Sequence, residues 1–378
     1  MKSSVSAGLQ VTALVFCAVA PQVQAQGAVG SIVVGASLPL SGPNAAVGQE
    51  GLAVLTAYFD SVNRAGGIDG RPIALTALDD AFNPQKAADN VRQLGAGKAV
   101  AIVNCWGTSS CSTMVPVATQ AGLPLVGGIA GGGAMRSAPG RYAFNIRAST
   151  EAEIDTMVRH MANIGQDSIA VVYQDDPFGQ SGHAAALKVF KQKGMQPAME
   201  TALAPDGSNA AAVSAALTKA APKGIILVAS PPATVALITQ ARKSGLRSQF
   251  YNLAAQANAT VVKNLGEHTA SVVFTTLVPN PWRIAIPVVK DYQQVAGAGM
   301  APSQYSYLGM EVYLNARTLV EGLRKAGRNV QRESLTDALE TMEQRHYGPM
   351  AVGFGPKQRN GSSYVGLAMV DRRGQFIE

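Results

Sequence analysis

Short apolar runs rich in Val and Ile alternate with helix-period segments along nearly the whole chain, and this alternation limits the possible folds more than any other feature. SIVVGAS (31–37) precedes a helical pattern over 45–64, in which Leu52, Leu55, Phe59 and Val62 share a face and Gly66-Gly67 supplies the stop. PIALTALDD (72–80) is the next strand, and Asn83-Pro84 opens a helix over 83–95. AVAIVN (99–104) leads to a helix from about Ser109, and LPLVGG (123–128) ends in a glycine-rich loop. After about Arg147 the pattern restarts, with a helix over 151–163, a strand at 168–173 and a helix over 180–193. A strand near 195–203, helix 208–220, strand 224–230, helix 233–243 and strands near 249–253 and 271–277 follow. Strands joined through helices by short connections predict parallel sheets, here in two units. VPNPW (278–282) then leads to helical patterns over 284–296, 303–326 and 331–343, and strand signals resume at 348–354 and 363–370.

A length of 378 residues agrees with two domains. With 47% hydrophobic and 15% charged residues, the chain has the composition of an ordinary globular protein. Its formal charge of +7 is scattered and shows no basic stripe interleaved with aromatics, which argues against nucleic acid as a partner. A mildly basic surface also helps an anionic ligand approach. Lys2, the apolar stretch Leu9 to Ala20 and the small residues of Val23-Gln24-Ala25 predict a signal peptide, residues 1–25, cleaved after Ala25. That stretch is too short to span a bilayer. Phe16 is bulky where a lipoprotein box needs a small residue ahead of Cys17, which argues against lipidation. Cys105 and Cys111 in NCWGTSSC are expected to pair under oxidising conditions, two small buried thiols being the alternative. His160, His183, His268 and His346 have no metal-ligand spacing, so no metal or other cofactor is expected.

Two α/β lobes with the chain passing between them more than once would form a cleft at the carboxyl ends of their strands. PLSGPNAAVGQEG (39–51), CWGTSS (105–110), GGIAGGG (127–133), DDPFGQSG (175–182), ASPPAT (229–234) and NLAAQAN (252–258) all fall at such ends. GGIAGGG lacks the lysine and spacing of a P-loop and reads as a wall that brings backbone N–H groups near a ligand. Asp175-Asp176 are adjacent and fit a helix start better than a converging metal or base pair. Tyr305 and Tyr307 either line the cleft or cap the helix that follows. There is no G-x-S-x-G elbow, no histidine paired by spacing with a nucleophile and no G-x-G-x-x-G after the first strand. The chain therefore reads as a binder rather than an enzyme, with a periplasmic hydrolase the weakest alternative.

LPLSGP, VNRAGGIDGRPI, LDDAFNPQKA and YQDDPFGQSG, in this order and spacing, resemble the leucine/isoleucine/valine-type periplasmic solute-binding proteins that feed ABC importers. The resemblance implies a type I periplasmic binding fold, α/β, with two Rossmann-like lobes of parallel sheet joined by three crossovers. It places lobe one at 29–147 plus 281–345 and lobe two at 148–280 plus 346–378. It also implies a periplasmic monomer that closes on a small-molecule ligand and delivers it to a permease in the inner membrane, or an exported sensor of the same fold.

The family's ligand positions carry over to Thr108 with Ser109, Trp106 and Gly107 beside it, and to Ile129, Ala130 and Gly131. Gly131 stands where the family often has a threonine. Phe178 matches the second lobe's aromatic, Val47 a first-lobe position that is often aromatic, and Ser230, Gln256 and Tyr307 complete the expected set. The acid that often receives a ligand ammonium is absent from Asn252-Leu253-Ala254-Ala255-Gln256. This shifts the expectation from an α-amino acid toward a carboxylate or amide on an apolar or aromatic body, with branched-chain amino acids as the runner-up. Thr108 and Ser109 open a helix, so their hydroxyls and free N–H groups can receive an anion, with a purely capping role for Ser109 as the alternative.

Overall fold

In a computed structural model, residues 30–378 are described except 133, 138, 298–300, 302, 303 and 372, so the expected signal peptide lies outside the described residues. The first half runs β1 (Ile32–Leu38), α1 (Ala45–Arg64), β2 (Ile73–Asp79), α2 (Pro84–Ala96), β3 (Ala101–Val103), α3 (Thr108–Gln120), β4 (Leu125–Val126), α4 (Ala134–Ser137) and β5 (Ala143–Phe144). The second runs α5 (Thr150–Asn163), β6 (Ile169–Gln174), α6 (Pro177–Gln192), β7 (Met199–Leu203), α7 (Ala210–Ala220) and β8 (Gly224–Val228). It continues with α8 (Pro231–Lys243), β9 (Gln249–Asn252), α9 (Ala259–Leu265) and β10 (Val272–Thr276). The chain then returns through α10 (Pro287–Ala296), α11 (Tyr307–Ala326), α12 (Arg332–Glu340), the hairpin β11 (Arg345–Tyr347) and β12 (Met350–Val352), and ends in β13 (Gly366–Val370) and β14 (Phe376–Ile377).

The first sheet has the order β2-β1-β3-β4-β5 and is parallel throughout. In the second, β7-β6-β8-β9-β10 repeat that order in parallel, and β13 and β14 extend it antiparallel as β14-β13-β10. Their sequences explain the placement. Every residue of β8 (GIILV) and of β10 (VVFTT) is buried, as strands covered by helices on both faces must be. No helix among the described residues is long and apolar enough to cross a membrane.

Helix starts follow local capping chemistry. The Asn83 side chain accepts from Gln85 and Lys86 N–H and opens α2, while Ser149, Asp176 and Ser306 cap α5, α6 and α11 in the same way. The cap of α11 is therefore Ser306, not Tyr305 or Tyr307, because a short hydroxyl side chain can fold back onto Gly309 N–H and a phenol cannot. The short elements β5, α4, α9 and β14 carry too few periodic residues to be read from sequence.

The chain passes between the sheets after β5, after β10 and before β13. The first and third passages pair with each other, Asn145 N–H donating to Arg359 O (2.8 Å) and Gly361 N–H to Asn145 O (2.7 Å). The expected boundary at residues 345 and 346 falls inside β11, whose Arg345 pairs with Glu321 of α11 (3.0 Å). Arg359 pairs with Glu340 of α12. Residues 345–359 thus lie with α11 and α12, and α11 in turn packs against α1, β3 and β4 of the first sheet.

Cys105 and Cys111 are joined by a disulfide across six positions, spanning the loop after β3 and the first turn of α3. On the chain-entropy account a loop this short contributes about 2 kcal/mol. Urea unfolding with and without reductant should show a loss of about that size on reduction. The double variant Cys105→Ser/Cys111→Ser should show the lower stability in both conditions; equal stability of wild type with and without reductant would refute the contribution.

Candidate ligand-binding site

In the first sheet β1 lies between β2 and β3, so the connections after β1 and β3 turn away to opposite faces and leave a crevice beyond their carboxyl ends. The same strand order puts a second crevice beyond β6 and β8. The loops at these points are 39–44 and 104–107 in the first half, and 175–176 and 229–230 in the second.

The loop after β1 is held by the end of β2. Asp79 accepts from Leu40 N–H (2.8 Å), Ser41 N–H (3.2 Å), the Ser41 hydroxyl (2.6 Å) and Ala81 N–H (2.8 Å). These bonds, the Ser41 hydroxyl first, hold its carboxyl below the usual range. Beyond the loop, α1 carries Val47 half-buried against the same core as Trp106. Trp106 itself is only 4% exposed and its ring lies on Gly51, where a Cβ would come within 2.4 Å of it. The tryptophan thus locks the loop after β3 onto α1.

The loops after β3 and β4 are zipped together: Ile129 N–H donates to Cys105 O (2.8 Å) and Gly107 N–H to Ile129 O (3.2 Å). Gly107, at φ 79°, makes the turn into α3 and occupies its N-cap without a side-chain acceptor. The capping role considered for Ser109 therefore does not occur, since Ser109 lies one residue inside the helix. The Thr108 and Ser109 hydroxyls take no hydrogen-bond partner among the described residues. The start of α3 consequently presents N–H groups, two hydroxyls and the positive end of the helix dipole.

The second half meets this face through the first turns of α5 and α6. Thr150 N–H donates to Gly131 O (2.7 Å). A Cβ on Gly131 would fall 2.3 Å from Thr150 Oγ1 and 3.4 Å from Glu153 Oε1, and one on Gly132 would fall 2.6 Å from Ser181 Oγ of α6. The space left by the missing threonine side chain at 131 thus holds the hydroxyl of Thr150. Ala130 is buried beside it and Ile129 packs on the core. Phe178 is half-buried and, like Tyr173, packs against the buried cluster that contains Val171, Phe190 and Val228. Ser230 N–H donates to Gln174 Oε1 (2.8 Å), and Gln174 in turn reaches Asp176 Oδ2 (2.6 Å).

Charge is concentrated at the crossing. Arg147 is 4% exposed, with Nη2 3.9 Å from Glu153 Oε1 and Nε 3.5 Å from Glu311 Oε1. Glu153, 1% exposed, accepts through its other oxygen from Ala254 N–H (2.8 Å) and the Thr275 hydroxyl. A carboxylate therefore stands against the loop in which sequence showed no acid, contributed by α5. Burial, outweighing the neighbouring Arg147, pushes the Glu311 carboxyl up. Gln256 is buried nearby in sequence with its Oε1 unpartnered. Tyr307 is not brought to these loops. Its hydroxyl donates to Glu378 (3.1 Å) and its ring meets Trp282 and Phe376 edge-on.

Sequence reasoning missed Arg147, Thr150 and Glu153. Glu151 and Glu153 read alike as first-turn acids favoured by the helix dipole, and only the burial of one, with the other half-exposed, separates them.

Two doubly wound sheets of one strand order, three passages between them and facing crevices at their switch points define a bilobal α/β binding protein of type I. The family model described as periplasmic binding protein matches residues 31–375, and the chain belongs to that family. It is similar to Leu/Ile/Val-binding protein homolog 7 of Brucella abortus (strain 2308), at 22% identity over 371 residues, covering 93% of this chain and 92% of that protein. Among solved structures it resembles an extracellular ligand-binding receptor from Verminephrobacter eiseniae, with TM-score 0.84 and 27% identity, over 92% of this chain and 100% of that one. A substrate-binding periplasmic protein from Ralstonia solanacearum gives TM-score 0.81 and 28% identity, over 92% and 99% of the two chains.

The raised Glu311 carboxyl has a sign that can be measured. The folded protein binds this proton more tightly than the unfolded chain, so folding stability falls as pH rises from the ordinary value of 4.5 through the raised one. Glu311→Gln removes that dependence. Urea unfolding of both proteins at acid and neutral pH should show wild type losing stability relative to the variant as pH rises; parallel behaviour would refute it.

Proposed function

We propose that this protein is the solute-binding component of an ABC uptake transporter. It closes two lobes on a small carboxylate-bearing ligand and presents it to a permease in the inner membrane. The observation that carries the ligand class is the start of α3, where Gly107 leaves the first-turn N–H groups without a side-chain cap and two hydroxyls stand beside them. Membership of the periplasmic binding protein family supports binding in the periplasm rather than chemistry. The lobes in this reading are the first sheet with α10 to α12 and residues up to about 359, and the second sheet with α5 to α9 and β13 to β14.

One observation favours α-amino acids within that class. Glu153 supplies beside Ala254 the carboxylate that the loop itself lacks, suited to a ligand ammonium. The name of the Brucella relative, Leu/Ile/Val-binding, agrees with this. Acids without an amino group remain the alternative, and the two differ in their dependence on Glu153.

A thermal-shift screen of branched-chain amino acids against aliphatic and aryl carboxylates tests the ligand class; stabilisation by none of them would overturn it. With the ligand so found, Thr108→Ala should weaken binding by about 1–3 kcal/mol, the usual range for a hydrogen bond to a charged group, and leave the ligand-free melting temperature nearly unchanged. Glu153→Gln should weaken amino acids selectively if the ammonium is read there, and equal losses for all carboxylates would remove that assignment.

Closure has its own measurement. Gly132 and Ser181, from the two halves, lie in contact here, which we read as a closed arrangement. Hinge closure around a ligand is the behaviour given for periplasmic binding proteins in general. Solution scattering should show a larger radius of gyration without ligand than with it, and an unchanged profile would count against closure.

A further inference from the structure

Phe82 lies outside every role assigned above. It is an aromatic side chain 41% exposed, in the loop after β2. It and Ala81 both adopt left-handed backbone conformations, φ 60° and 49°, which residues with side chains rarely take and still more rarely take in succession. Two adjacent carboxylates hold them there, Asp79 accepting from Ala81 N–H and Asp80 from Phe82 N–H, each at 2.8 Å. The far side of the loop is tied to α3, because the Thr113 hydroxyl donates to Pro84 O (2.8 Å).

This conformation aims the ring. A Cβ on Gly107 would fall 2.7 Å from the Phe82 ring, so the ring covers the N-cap of α3. The loop after β2 runs into α2, which packs side by side with α3, so Phe82 reaches the loop after β3 from the α2 side. Because β1 and β3 are neighbours, the ring stands beside the first sheet's switch-point crevice, at the helix start assigned to the anion. A phenylalanine serving only the core would be buried, and its backbone would not need two held left-handed residues.

We propose that Phe82 is a specificity-determining residue: its ring stands beside the crevice and packs on the apolar body of a ligand whose carboxylate sits on the first turn of α3. The proposal rests on the carboxylate reading given above. The anion is held by backbone and hydroxyl donors common to any carboxylate, whereas the ring discriminates by the size of the apolar body. Gly107 is part of the device, since any side chain there would displace the ring.

The test compares wild type, Phe82→Ala and Phe82→Tyr, binding straight-chain carboxylates from acetate to octanoate, benzoate and L-leucine, by thermal shift and calorimetric titration. In wild type affinity should rise with the apolar body. In Phe82→Ala that rise should flatten, with the largest probes losing about tenfold and acetate almost nothing, and Phe82→Tyr should restore it. An unchanged rise with chain length in Phe82→Ala would overturn the inference while leaving the carboxylate reading intact. So would a lowered ligand-free melting temperature with no change in the rise, since that is the mark of a purely structural ring. Failure of wild type to bind any of these probes would overturn both.

Discussion

The burial of Arg147 is the constraint on which the two halves depend. A guanidinium cannot lose its protons in a protein interior, so where it is removed from water it must have carboxylates near it. Here one comes from α5, beside the second sheet, and the other from α11, against the first. The charge therefore ties both halves to the passage between them. Asn145, two residues earlier, is paired with the third passage, so the hinge segments are registered at the same place. The separations of 3.9 and 3.5 Å are long for direct bonds, and Arg147 Nε and Glu311 Oε1 each lack a regular partner. A buried network that is only partly satisfied has little to lose by rearranging, which suits a hinge better than a fixed core contact does.

The same cluster organises the site. Glu153 holds Ala254 with the oxygen that does not face Arg147, so the loop after β9 is positioned from the hinge. Thr150, in the first turn of the same helix, meets Gly131 across the cleft. One helix start thus connects hinge, wall and opposing lobe. A small change at the crossing would move groups from both sheets together.

Much of the architecture was legible because it depends on local pattern. β1, α1, α2, α5 and β6 lie within a residue or two of where periodicity and capping residues place them. The crevices were legible too, since parallel strands joined through helices leave their carboxyl ends on one side. What sequence could not show was which polar residues fold inward. Glu151 pairs with Lys188 near the surface, while Glu153, two positions on, is buried against Arg147, and nothing in their sequence neighbourhood distinguishes them. Tyr307 misled for the converse reason. It sits next to a helix start near the cleft in sequence, but β14 brings Phe376 and Glu378 across to cover it, a long-range pairing no local signal announces. The resemblance marked Gly131 and the 252–256 loop as lacking expected groups, and the structure sets Thr150 and Glu153 against those two places.

That replacement bears on how such a site changes ligand. The walls at 39–51 and 127–132 are built mainly from glycine, alanine and other small residues, which leave room and contribute backbone rather than side chains. On the proposed carboxylate reading, recognition of the anion falls to groups the fold must produce anyway, the unpaired N–H groups of a helix start and the dipole behind them. These are fixed by the sheet, and the Thr108 and Ser109 hydroxyls add to them. The same reading leaves selectivity to the few side chains that stand beside the crevice or against its loops, and these lie on segments whose backbone is held independently, Phe82 by Asp79 and Asp80, Glu153 by α5. On that reading a substitution at Phe82 alters what the cleft prefers without altering how the cleft is made, whereas Glu153 also carries Arg147 and the loop after β9. The strained loop after β2 fits this separation: two carboxylates at the strand end, Asp79 and Asp80, hold its left-handed backbone, so the conformation that aims Phe82 does not rest on the ring itself.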